Sequence, residues 1–171
     1  MNALVSADTM VVGVGNTILS DDGVGVHAAR LLQKDPRVPA GVIILDGGTL
    51  GLELLPYVWD CARLIVIDAI DVGEASGTVV RISREELNSL PGKSSAHQLG
   101  VADLLVALRM LAERQPQVVL LGVQPGSTDW SDELSAPVAA AMDSLVEATI
   151  RELQVQAEPD AQGSFNTRQH S

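Results

Sequence analysis

The chain has 171 residues, 46% of them apolar, with a mean hydropathy of +0.22, enough for one domain with a sizeable core. Its 22 acids against 11 Lys and Arg leave a formal charge of -11, which argues against nucleic acid or an anionic membrane surface as a partner. A single cysteine, Cys61, excludes an intramolecular disulfide and any multi-cysteine metal site; with no basic leader and no run of about twenty apolar residues, neither secretion nor membrane insertion is expected, and a cytoplasmic setting is.

Aromatic residues make up only 2% of the chain, so Val, Leu, Ile and Ala must fill the core, as in a parallel sheet covered by helices. Met10 to Val14 reads as a buried strand that breaks at Gly13-Val14-Gly15, where the backbone must turn sharply. The acidic loop that follows, with Asp21 and Asp22, leads into a helix from about Gly23 to Lys34, closed off by Pro36 and Pro39. Val42 to Asp46 is a second strand, which Gly47-Gly48-Thr49 turns into a short helix from about Leu50 to Val58. Leu64 to Asp68 is a third strand ending, like the second, in an aspartate.

Val79 to Ile82 alternates and suits an edge strand, for which an antiparallel sense is open. A polar stretch from Ser83 to Ala96 reaches His97. Val101, Leu104, Leu105, Leu108 and Leu111 then make one face of a helix from about Gln98 to Arg114, and Val118 to Val123 is the last core strand. Pro125 to Glu133 is a loop containing Trp130. Ser135 and Pro137 open a final helix with a stripe of Val138, Met142, Leu145, Val146, Thr149 and Leu153. Residues 1–155 are thus read as one α/β domain, and 156–171 as a polar, mobile tail. Alternating strands and helices imply a parallel-dominated sheet with helices on both faces.

The first loop is not a dinucleotide fingerprint, because the position of the third glycine is Ile18 and because Asp21 and Asp22 would repel a phosphate at the helix start. It suits a cation or acid chemistry. A plainer use of the pair is that Asp21 caps the helix and Asp22 complements its dipole. Ligands in open sheets gather at the carboxyl ends of strands, which brings the acidic loop, Asp46 and Asp68 to one rim, with His97 opening a helix beside it. Two carboxylates and an imidazole make a three-ligand site for a divalent metal with open positions, and the nitrogen ligand argues against a purely magnesium or calcium cage. Taken singly, Asp46 and Asp68 also suit strand-end turns, and His97 a helix cap. His27 and His170 fall away from this rim, and Cys61, with no basic neighbour, reads as structural. Ser94 and Ser95 lack a Gly-x-Ser-x-Gly elbow, so a serine hydrolase is a weak reading.

From Met10 through Leu153 the sequence resembles the hydrogenase maturation endopeptidases. The resemblance rests on Gly13-Val-Gly-Asn-Thr-Ile-Leu-Ser-Asp-Asp-Gly-Val-Gly25, Asp46-Gly-Gly-Thr49 with Glu53-Leu54, Ile67-Asp68-Ala69, and His97-Gln-Leu-Gly100 ahead of Asp103. It implies a three-layer α/β/α sandwich around a five-stranded, mostly parallel sheet. It also implies that the protein removes the C-terminal extension from the large-subunit precursor of a nickel-iron hydrogenase. The family's two acids and imidazole fall on Asp22, Asp68 and His97, as catalytic and metal-contacting groups, with Asp21 a neighbouring competitor for the first role. Some relatives carry glutamate at the first of these positions. Asp46, Gly47, Gly48 and Thr49 would position substrate. The Ni2+ ion would arrive with the precursor, and the water would be activated either by the metal or by an aspartate, as in aspartyl proteases. Two other readings use the same residues: a nucleotide- or metabolite-binding module with Asp46 in the ribose-binding role, and a metal-dependent chaperone of the hydrogenase subunit that does not cut it.

Overall fold

The three central strands are buried on both faces, and their side chains divide with a period of two between two cores. The structure is a computed structural model that describes residues 7–83, 86 and 96–155, the side chains of 96–99 excepted. The first residues of the expected loose start, most of the polar stretch before His97 and the expected tail of 156–171 lie outside the described residues. In β1 (Thr9–Val14), β3 (Arg63–Ala69) and β5 (Gln117–Val123), residues Met10, Val12, Val14, Leu64, Val66, Val118 and Leu120 face one core. Val11, Ile65, Ile67, Val119, Leu121 and Val123 face the other.

Helices α2 (Leu55–Val58) and α3 (Ala96–Leu111) cover the first face, through Val58, Val101, Leu104 and Leu108. Helices α1 (Val24–Leu32) and α4 (Ala136–Gln154) cover the second, through Val24, Ala28, Leu32, Val138, Leu145 and Ile150. The result is a three-layer α/β/α sandwich. With β2 (Val42–Gly48) and β4 (Val79–Ser83), the sheet runs β2-β1-β3-β5-β4. Every pairing is parallel except that of β4 with β5, so the alternating edge strand is the antiparallel one.

From β1 the chain steps outward to β2, then crosses back to add β3 on the other side. The connections therefore diverge between β1 and β3, and a crevice opens at their carboxyl ends, the place where open α/β sheets hold ligands. The expected helix over residues 50–58 is instead a 3-10 turn (Gly51–Leu54) followed by the single turn of α2. Gly51 is left-handed at φ 53°, and Pro56 has no N–H to continue a helical ladder. Helix α3 stops at Leu111, short of Arg114, because Gln115 turns its Nε2 onto the carbonyls of Leu108 and Ala112 at 3.1 and 3.0 Å and closes the helix end.

Candidate active site

The loop after β1 folds back on itself because its glycines leave room for backbone. Gly15, at φ 130°, donates its N–H to the Gly48 carbonyl at 2.8 Å, and a Cβ there would stand 1.8 Å from the Asp22 carbonyl oxygen. The return carries Asp21 and Asp22 in a 3-10 turn (Ser20–Gly23) in which both are buried. Their roles separate cleanly. Asp21 accepts the backbone N–H groups of Gly126, Ser127 and Ser135 at 2.7, 2.9 and 2.7 Å, and the Ser135 hydroxyl at 2.7 Å. Burial pushes its carboxyl up, but these bonds outweigh burial and hold it below the ordinary range. Asp21 therefore fastens the loop before α4 to the acidic loop and does not cap α1; Ser135, in the N-cap position of α4, spends its hydroxyl on Asp21.

Asp22 accepts the Asn16 N–H at 2.9 Å across the mouth of the same loop. Its charge also reaches Asp68. That residue is 1% exposed near the end of β3, and burial drives its carboxyl well above the ordinary range; the bond from the Ala69 N–H, 2.8 Å, opposes this and the Asp22 charge adds to it. The two acids thus flank the crevice between β1 and β3. Asp68 shares the strand parity of Leu64 and Val66, the face that α3 covers. His97 lies in the first turn of α3. The Cα of Gly100 stands 3.5 Å from where a Cβ on Gly51 would be, just beyond β2, so the start of α3 lies at the same rim. The His97 imidazole is outside the described residues. Among those described, no three His, Cys, Asp or Glu side chains are grouped to hold a metal ion.

Asp46 has the opposite strand parity to Leu45 and meets α1, where its carboxylate pairs with Arg30 at 2.9 Å. His27 stands near this pair; burial first, then the Arg30 charge, lower its pKa. Gly47 is buried under β1, where a Cβ would sit 2.7 Å from Val12 Cγ1. Gly48 and Thr49 line a groove of about 140 Å³ with Gly51, Gly100 and Leu104. The predicted positioning loop is therefore divided, with Asp46 toward α1 and Gly48 and Thr49 toward α3. The Ser135 anchor and the glycine contact between residues 51 and 100 carry no motif in the sequence; each arises from residues far apart in the chain. Cys61 is buried, bonded to the Val58 carbonyl at 3.1 Å, and burial pushes its thiol up to about 11.

Comparison with known proteins adds an independent line. The profile of the hydrogenase maturation protease family matches residues 26–152. The hydrogenase 2 maturation protease of Escherichia coli strain K12 is 39% identical over 155 residues, 88% of this chain and 94% of that protein. The hydrogenase expression/formation protein HupD of Rhodobacter capsulatus is 33% identical over 156 residues, 90% of this chain and 74% of its own length. Among solved structures, the hydrogenase maturating endopeptidase HybD from E. coli superimposes with a TM-score of 0.79 at 38% identity, covering 85% of this chain and 91% of that one.

Proposed function

The chain belongs to the hydrogenase maturation protease family, and from that premise we propose that it cuts the C-terminal extension from the large-subunit precursor of a nickel-iron hydrogenase, reading the precursor's own nickel through Asp22, Asp68 and His97. The observation that carries this reading is the pair of acids at the β1/β3 crevice. Asp68 is almost fully buried, and the neighbouring Asp22 charge adds to the cost of ionising it. Such a pair is relieved by one shared proton or by one divalent cation. Nickel on the precursor supplies the cation, with His97 as the nitrogen ligand that this metal favours over magnesium or calcium.

Docked in this way, the substrate's metal fixes the adjacent peptide at the rim, and Gly48 and Thr49 offer backbone along the groove toward α3. Asp22 and Asp68 also fit the proton chemistry of peptide hydrolysis: burial raises the proton affinity of the Asp68 carboxyl, and two carboxyls at one site can divide between them the giving of a proton to the leaving amine and the taking of one from water. The aspartic-type and metal-assisted routes start from this same pair.

The test is processing of purified precursor, followed by mass spectrometry, with nickel-loaded and nickel-free samples in parallel. Cleavage of the loaded form alone is expected. Asp68→Asn, which replaces the buried carboxyl by an amide of like size, and His97→Ala are expected to abolish cleavage with an unchanged melting temperature. Equal cleavage of both precursors removes the nickel reading, and full activity in both variants removes the site.

A further inference from the structure

The loop that Asp21 fastens carries a feature that the cleavage site does not use. Trp130 at its tip is 80% exposed, and Ile18 on the acidic loop is 49% exposed. Leu19 and Ser131 form an isolated parallel bridge, with Ser20 N–H donating to the Ser131 carbonyl at 2.8 Å and Ser131 N–H to the Ile18 carbonyl at 3.1 Å. Ile18 and Trp130 each stand one residue before a bridge partner, so the two lie side by side. The loop is held from both ends: the Asp21 N–H donates to the Ser127 carbonyl at 3.1 Å, the Ser20 hydroxyl to the Glu133 carbonyl at 2.9 Å, and the Asp21 carboxylate gathers Gly126, Ser127 and Ser135. An exposed tryptophan on a braced loop is a preorganised anchor, because little ordering entropy remains to be lost when a partner covers it.

We propose that Ile18 and Trp130 form a docking site, separate from the cleavage crevice, for the folded body of the precursor; this rests on the proposed function. Two features select that occupant. First, the loop leads into α4 on the second face of the sheet, whereas Asp68 has the parity of the first face, so a surface that covers Trp130 reaches beyond the residues next to the cut. Second, Asp129, Asp132 and Glu133 lie within three residues of Trp130 in the chain, and all three are exposed. The matching surface is an apolar socket rimmed by Lys and Arg, with the tryptophan as the buried centre and the charges as the rim. Because Asp21 and Asp22 are adjacent in one turn, the body docked at Trp130 sets where its own C-terminus meets the acids.

Trp130→Ala is expected to raise KM for nickel-loaded precursor by roughly tenfold or more, the loss for a central aromatic anchor, with the effect in KM and not in kcat. The double charge reversal Asp129→Lys with Asp132→Lys is expected to raise KM as well. In a Trp59→Phe chain, Trp130 is the sole tryptophan. Its emission should shift to the blue on adding the mature subunit that lacks the extension, and should not shift with a peptide of the extension alone. An unchanged KM in Trp130→Ala while the wild type cuts normally overturns the docking site and leaves the proposed function standing. A shift with mature subunit from a wild-type chain that cuts no precursor does the reverse. A shift produced by the extension peptide alone, or a Trp130-dependent dimer of this chain without precursor, also overturns it.

Discussion

At Asp21 one carboxylate satisfies four donors from a segment more than a hundred residues away. Asp21→Ala therefore strands the N–H groups of Gly126, Ser127 and Ser135 and the Ser135 hydroxyl; an orphaned donor costs about 1–3 kcal/mol when fully buried, and less for these partly buried ones. A total loss near 3 kcal/mol is expected in urea unfolding, since water re-enters part of the site. The folded carboxyl lies below its unfolded value, so its contribution is present above the ordinary aspartate range and is lost as pH falls through the folded value. The gap between wild type and Asp21→Ala should accordingly narrow in acid. The sequence shows two adjacent acids but cannot divide them. In a 3-10 turn, with three residues per turn, neighbouring side chains diverge by about 120°, and which of them meets the crevice depends on where the distant loop lies. Cys61 was legible as structural from its place in a helix-to-strand connection without a histidine beside it, and the thiol is buried and pushed up, burial outweighing the opposing Arg114 charge.

Helix α1 transmits that loop geometry to the sheet. Gly25 lies on the carbonyls of Ile67 and Val14, where a Cβ would come within 2.1 and 2.4 Å of the two oxygens. These are backbone atoms of the strands that border the crevice. Gly25→Ala must lift the start of α1 away from β1 and β3, and with it the turn that holds Asp22. Overpacking against rigid backbone should cost about 3 kcal/mol. Processing should fall further than the folded fraction explains, as measured at a temperature where circular dichroism shows the variant folded. The strands were legible to within about two residues of their observed ends, the central ones because burial on both faces leaves a continuous apolar run and β4 because an edge strand alternates. The helix over 50–58 was not, since its apolar content matches a helix while Gly51 and Pro56 break the backbone. Helix α3 was legible from its stripe of Val101, Leu104 and Leu108, and its closing contact through Gln115 was not, being a side chain folded back onto carbonyls.

Across the whole molecule, the two ends of the sheet carry different duties. At the carboxyl ends, Asp22 and Asp68 are buried beside the β1/β3 crevice; at the other end, Glu152 of α4 is buried to join three elements. It accepts Arg63 of β3 and Arg81 of β4, and Arg63 reaches on to the Val155 carbonyl at 2.7 Å. The bonds from Arg81 foremost, partly offset by burial, and those from Arg63 hold the Glu152 carboxyl below the ordinary range. None of this was legible in the sequence, where Arg63 and Glu152 stand 89 residues apart, although the layered architecture that brings them together was. Glu152→Gln leaves the Arg63 guanidinium buried without a counter-charge, which should cost about 3–5 kcal/mol in urea unfolding at neutral pH. By the same sign as for Asp21, the difference should shrink as pH falls below the ordinary glutamate range. Arg63 is five residues from Asp68 along β3, roughly 16 Å at strand spacing. Below its melting transition, Glu152→Gln should therefore process nickel-loaded precursor with the wild-type kcat/KM, because the strand between the two ends is packed on both faces and has no second arrangement through which to pass the change. A lowered kcat/KM in the folded variant would mean that β3 shifts as a unit, and that the acid pair is held in place from the far end of the sheet as well as by the loop around Asp21.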